Sequence, residues 1–251
     1  MTTFGRSDDL EGAEFVGANL RGARFRDSDL TGVVVRGSEI AGIELDSPWL
    51  TEGDGSLLVN GVDIVPLVDA ALNDRFPGRA QRRASDPEGL RSAWAALEQT
   101  WEGTLARVAG MPEGTVEESV AGEWSFSQTL RHLVMATDTW LGKAVLRAEQ
   151  PYHPLGLANA GAEEDGLDLS PFTTEAPSYP DVLRARSERV RMVRDFLGQV
   201  TPAVLAEPRT NPWAPQHAET VLSCLHTILE EEWEHHRYAV RDLDALEARP
   251  G

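Results

Sequence analysis

The sequence predicts a mainly α chain with a small β part: a four-helix bundle preceded by a short solenoid and a connector. Three observations predict it. Apolar residues recur every five positions near the N-terminus, four long stretches with helical apolar spacing follow residue 85, and ionisable residues interrupt the apolar faces of two of those helices. The expected divisions are 1–48 for the repeats, 49–85 for a connector with short strands and a helix, and 86–251 for the bundle.

The five-residue period runs through Leu10, Phe15, Leu20, Phe25, Leu30, Val35, Ile40 and Leu45. Neither a helix nor a strand has that period. A second, usually small residue sits two places earlier (Ala13, Ala18, Ala23, Ser28, Val33, Ser38, Ile43), and glycine recurs at Gly12, Gly17, Gly22, Gly32, Gly37 and Gly42. A chain that must turn at regular intervals places glycine there, which is the mark of a solenoid coil.

In the connector, SLLVNGVDIV reads as two short strands around Asn60-Gly61, and PLVDAALNDRF as a helix that Pro77-Gly78 ends. The basic stretch GRAQRRA at 78–84 reads as a solvated linker. The first long helix is expected from Pro87 to Ala109 with Asp86 as N-cap and a stripe of Leu90, Trp94, Leu97, Trp101 and Leu105. The second, about 126–148, opens at a capping box from Ser125 to Gln128. A third is expected over about 180–199 and a fourth over about 218–247. The segment between the second and third is too long and too rich in Pro and Gly for a bundle turn, and such segments often cover a site.

Bulk composition narrows the function classes. Lys and Arg number 23 against 41 Asp and Glu, a net charge of −18, which repels phosphate backbones and excludes ordinary nucleic-acid binding. Cys224 is the only cysteine, so no intramolecular disulfide framework exists, consistent with a reducing cytoplasm. No apolar run reaches about 18 residues and the first residues carry no basic segment followed by an apolar one, so neither membrane spanning nor secretion is expected.

On the fourth helix the inward stripe reads Val221, Cys224, Ile228, Glu231, His235, Tyr238, Asp242. Glu231 and His235 are four apart, so they share a helical face at roughly 5–6 Å. Such a pair is satisfied by a shared ion or by a hydrogen bond on a solvated face, and alone the second is the commoner outcome. His132, beside large apolar residues on the second helix, adds a third donor. Two histidines and a carboxylate leave open positions on an ion such as Zn²⁺, with Ni²⁺ or Fe²⁺ as alternatives. Glu232 and His236 have the same spacing and form the alternative register; Ile228, Tyr238 and Asp242 favour the first. Cys224 reads as core and His226 as lying off the face. His153 reads as an exposed loop residue, Asp138 as a partner for a ligand histidine or a packing carboxylate, and Trp140, Trp213 and Trp233 as packing.

Two resemblances bear on these readings. AEFVGANLRGARFRDSDLTG resembles the pentapeptide repeat family over about residues 8–46, with Val33 and Ile43 departing from its small residue. That implies a right-handed, four-sided β-helix of about two coils, too few to stand alone, which is expected to dock on the rest of the chain. EWSFSQTLRHL together with EEEWEHHRYAVRDL is similar to the DinB-like superfamily, with its YfiT-like and mycothiol-dependent maleylpyruvate isomerase N-terminal groups, over roughly residues 86–247. This resemblance implies a four-helix bundle that brings His132 to Glu231 and His235 as metal ligands. Glu231 stands where the commonest form has histidine, as in the isomerase version. It further implies a metal-dependent transferase or hydrolase acting on a small molecule, with a mycothiol-type low-molecular-weight thiol as cosubstrate, and a homodimer. The competing expectation is an interaction protein that uses the repeats, by partner docking or by mimicking nucleic acid, with a purely structural metal. No catalytic residue is assigned by either.

Overall fold

A computed structural model describes residues 3–5, 7–53, 55–159, 161–164, 166–173 and 175–249. The chain divides into two compact units, Met1–Asp46 and Ser47–Gly251.

In the first unit the repeat is a repeat of turns. The amides of Ala13, Ala23, Val33 and Ile43 donate to the carbonyls of Leu10, Leu20, Leu30 and Ile40 at 3.0–3.1 Å. Val33 and Ile43 thus make the same turn as the alanines. Asp9, Asn19, Asp29 and Glu39 each accept from the amide two residues on, closing side-chain turns every ten residues. Asp27 occupies the place of the recurring glycine and adopts its left-handed conformation, φ 48°, which a short polar side chain tolerates. The expected β-helix ladder is not formed: among the described residues of this unit there is no strand, and no backbone hydrogen bond joins one coil to the next. The large side chains of the period keep 41–62% of their surface exposed, because so few turns cannot enclose a core.

The second unit begins with a two-residue hairpin, β1 (Leu58–Val59) against β2 (Val62–Asp63), turned by Asn60 and Gly61 with positive φ. Helix α1 (Val65–Arg75) follows and stops before Gly78, whose φ of 97° no helix continues. The stretch expected to be a solvated linker is instead a 3₁₀ turn, Arg79–Arg83, with Arg79 and Arg82 buried. Residues three apart in such a turn lie on one side. The two guanidiniums therefore meet Asp69 of α1 together, at 2.7 and 2.9 Å, and Arg82 also binds Glu230 at 2.9 Å.

The bundle helices are α2 (Pro87–Ala109), α3 (Phe126–Thr137), α4 (Tyr179–Gln199) and α6 (Val221–Glu247), with a short α5 (Pro202–Leu205). Asp86 caps α2 by accepting from Glu88 and Gly89, and the Ser125–Gln128 capping box starts α3. Helix α3 packs on α4 and α6, and α2 does the same. Their apolar stripes, with Leu90, Trp94, Leu97, Leu130, Leu133, Val193, Ile228 and Trp233, make one core.

Two further elements differ from expectation. Beyond Thr137 the second helix widens into a π-helix, Asp138–Val145, in which Leu146 donates to Leu141 five residues back. The widening starts at buried Asp138, which binds Arg189 of α4 at 2.7 Å. Residues 218–220 are a strand, not helix: β4 (Ala218–Thr220) pairs antiparallel with β3 (Pro208–Thr210), and Thr220 then caps α6. Among the described residues no helix is long and apolar enough to cross a membrane.

Candidate metal centre

His132 sits two turns into α3, where the capping box fixes the helix start and Trp124 lies just ahead of it. Glu231 and His235 project one turn apart from the middle of α6. The structure brings these three side chains together, with one donor atom of each within 4.8 Å of the others. His132 Nε2 is 3.4 Å from Glu231 Oε2, and His235 Nδ1 is 3.3 Å from the same oxygen. The imidazole centroids lie 4.6 Å apart with the rings tilted by 30°.

The hydrogen bonds around the rings decide what can lie between them. His132 Nδ1 is 3.1 Å from the Leu157 carbonyl oxygen, and a carbonyl only accepts, so Nδ1 carries the hydrogen. In the neutral ring Nε2 is then a lone pair facing a carboxylate oxygen. Two acceptors 3.4 Å apart repel unless a proton or a cation lies between them. Ligands about 2.0–2.1 Å from a tetrahedral ion are separated by about 3.4 Å, so the spacing fits an ion held by both. His235 Nδ1 likewise donates, to the Glu231 carbonyl 2.8 Å away, leaving its Nε2 unprotonated. For His132 the carbonyl sits on the nitrogen away from Glu231, which is the usual orienting arrangement of a ligand histidine.

Electrostatics agree with this donor set. Burial, aided by the charge of His132, pushes the His235 imidazolium down to about 4, so the ring is neutral near pH 7. Burial alone would raise the Glu231 carboxyl. Hydrogen bonding and charge attraction from His132 and His235 in their protonated forms outweigh it and hold the group below the usual carboxylate range. Trp124 covers the pair, its ring 4.7 Å from His132 and stacked at 20° on His235. Tyr238 meets His235 edge-on at 6.0 Å and carries the guanidiniums of Arg237 and Arg241 over its ring.

The 150–178 segment reaches the site through its backbone. Arg131 Nε binds the Leu155 carbonyl while His132 takes that of Leu157. A Cβ on Gly156, between them, would come within 2.9 Å of the Phe172 ring and 3.2 Å of the Met135 Cβ. Asp138 does not orient a ligand histidine. It accepts from the His153 amide at 2.8 Å and so ties the segment to the π-helix. His153 is half-buried and lies outside the triad; its Nδ1 accepts from Leu155.

The alternative register points elsewhere. Glu232 and His236 are 1% and 3% exposed, deep among Arg186, Thr104 and Trp101, and among the described residues they gather no third metal donor. His226 binds the Ala84 carbonyl, and Cys224 is fully buried with its thiol pushed up to about 11 by burial. The role of Trp124 over the rings and the pairing of Arg186 with Glu232 have no periodic signature in the sequence.

Comparison with known families agrees with this arrangement. Residues 96–239, more than half of the chain, match the DinB superfamily. The chain belongs to that superfamily. Its N-terminal part, residues 9–38, matches the pentapeptide repeat family. No curated protein and no solved structure matches this DinB superfamily chain.

Proposed function

We propose that this chain is a metal-dependent enzyme, a transferase or hydrolase acting on a small molecule, with a low-molecular-weight thiol as cosubstrate. The observation that carries the reading is the His132–Glu231–His235 triad, whose imidazoles are tautomerically committed by backbone carbonyls. Three protein donors leave coordination positions open, the arrangement of catalytic and not of closed structural sites. When bound, a divalent ion, Zn²⁺ before Ni²⁺ or Fe²⁺, supplies Lewis acidity that lowers the pKa of a thiol or water. His132 holds its unprotonated Nε2 toward Glu231, His235 lies beside the same carboxylate oxygen, and Glu231 supplies the charge. Trp124 shields the rings from water on one side. The membership of the chain in a superfamily rich in metal-binding enzymes supports the same reading.

A second reading, an interaction protein using the repeats, is favoured by the exposed apolar row from Leu10 to Leu45. Thiol-transfer and hydrolysis screens on zinc-reconstituted protein, with His235→Ala beside wild type, separate the two. Turnover lost in the variant while the melting temperature of the metal-free protein holds supports the enzyme. A large melting loss, with no turnover in either protein, supports a structural metal.

A further inference from the structure

The Glu-x-x-x-His spacing occurs twice in α6, one residue out of phase. One residue is about 100° of helix rotation, so Glu231 and His235 face the triad while Glu232 and His236 face the core. The inner pair is gripped by the two helices that carry no triad residue. Arg186 Nη2 of α4 binds Glu232 Oε2 at 2.5 Å, and Thr104 Oγ1 of α2 meets His236 Nε2 at 2.8 Å. Thr104 gives its own hydrogen to the Thr100 carbonyl, so it accepts from the imidazole. The Arg186 guanidinium also lies 5.8 Å over the Trp101 ring, and Trp101 meets His236 edge-on at 5.0 Å.

This cluster is poorly designed for stability. Arg186 and Glu232 are 5% and 1% exposed, yet among the described residues Arg186 Nη1, Glu232 Oε1 and His236 Nδ1 find no hydrogen-bond partner. Buried ion pairs with unmet atoms are commonly matched or exceeded in stability by apolar residues of similar size. What the cluster does supply is direction. Two polar contacts, four residues apart on one helix, fix its rotation, where apolar packing tolerates small slips.

We propose that Glu232 and His236, held by Arg186 and Thr104, are positioning residues that set the rotation of α6 so that Glu231 and His235 converge with His132. The proposal rests on the reading of the triad as a metal site. The test is Co²⁺ titration of the full metal-free chain, followed by visible absorption, which reports both affinity and coordination geometry. The variants are the Arg186→Met/Glu232→Met double substitution, Thr104→Val and Thr104→Ser. In the double variant and in Thr104→Val, Co²⁺ affinity falls by about 10–100-fold, the range for groups that orient ligands, and the absorption bands change shape. Their metal-free melting temperatures stay within a few degrees of wild type, and Thr104→Ser, which keeps the hydroxyl, restores affinity and spectrum.

Wild-type affinity and spectrum in both variants overturn the positioning role. An affinity loss in Thr104→Val that only follows a large melting loss overturns it as well. If the double variant does not fold, Thr104→Val against Thr104→Ser decides by the same criteria. A wild-type chain that takes up no Co²⁺ overturns the metal reading itself, and is distinguishable from both.

Discussion

His236 shows how one buried side chain imposes a pH dependence. Burial pushes its imidazolium from 6.5 to about 4, and it is kept neutral among Trp101, Trp233 and Phe76. Between these two pH values the unfolded chain takes up a proton that the folded chain refuses. The contribution is therefore fully present above about pH 6.5 and is lost as pH falls toward 4. Carboxylates elsewhere titrate in the same range, so the difference between wild type and His236→Phe isolates this residue. In metal-free protein the stability gap between the two, measured by urea unfolding, is expected to be constant above pH 6.5. It should then shift in favour of the variant by roughly 3 kcal/mol down to pH 4. Parallel curves across that window would contradict the neutral, buried assignment. At this scale much was legible in the sequence: Ile228, Tyr238 and Asp242 favour Glu231 and His235 over their neighbours, and the structure turns them toward His132. What was not legible is what holds Glu232 and His236, because Arg186 and Thr104 reach them only across helix interfaces.

Among the elements, α3 and the segment after it work as one unit. The capping box sets where α3 starts, and the segment returns to place the Leu157 carbonyl on His132 Nδ1. Gly156 precedes Leu157, whose amide donates to the Arg131 carbonyl of α3, and a Cβ added at Gly156 would crowd Met135 and Phe172. A valine there has no room against Phe172 and Met135, so Gly156→Val is expected to lift the segment, free His132 to rotate and weaken Zn²⁺ binding by about 10–100-fold. Chelator competition checks this; unchanged affinity would mean that the carbonyl does not orient the ring. Capping chemistry made the starts of α2 and α3 readable, since Asp86, Ser125 and Gln128 act within their own turns. The π-helix and the β3–β4 pair were not readable. One begins where Asp138 meets Arg189 of α4, and the other joins residues on either side of a seven-residue connection, so neither has a local period.

For the molecule as a whole, two kinds of regularity coexist in one chain. The repeat unit has an unmistakable period but no enclosed core, because a five-residue repeat specifies turns and leaves coil-to-coil pairing to the number of coils. The larger unit has a core from apolar stripes of ordinary helical spacing, with a polar centre set into it where α3 and α6 meet. Buried Arg79 and Arg82 misled composition-based reading: three arginines in five residues look solvated until Asp69, Glu230 and Glu234 are brought around them by tertiary contact. In the proposed function, two histidines and a carboxylate from distant parts of the sequence hold one divalent ion. Elemental analysis of full-length wild type, His132→Ala and His235→Ala, each dialysed against zinc and then buffer, tests it most directly. One zinc per wild-type chain and its loss from both variants is the expected result; equal, negligible zinc in all three would contradict a shared site.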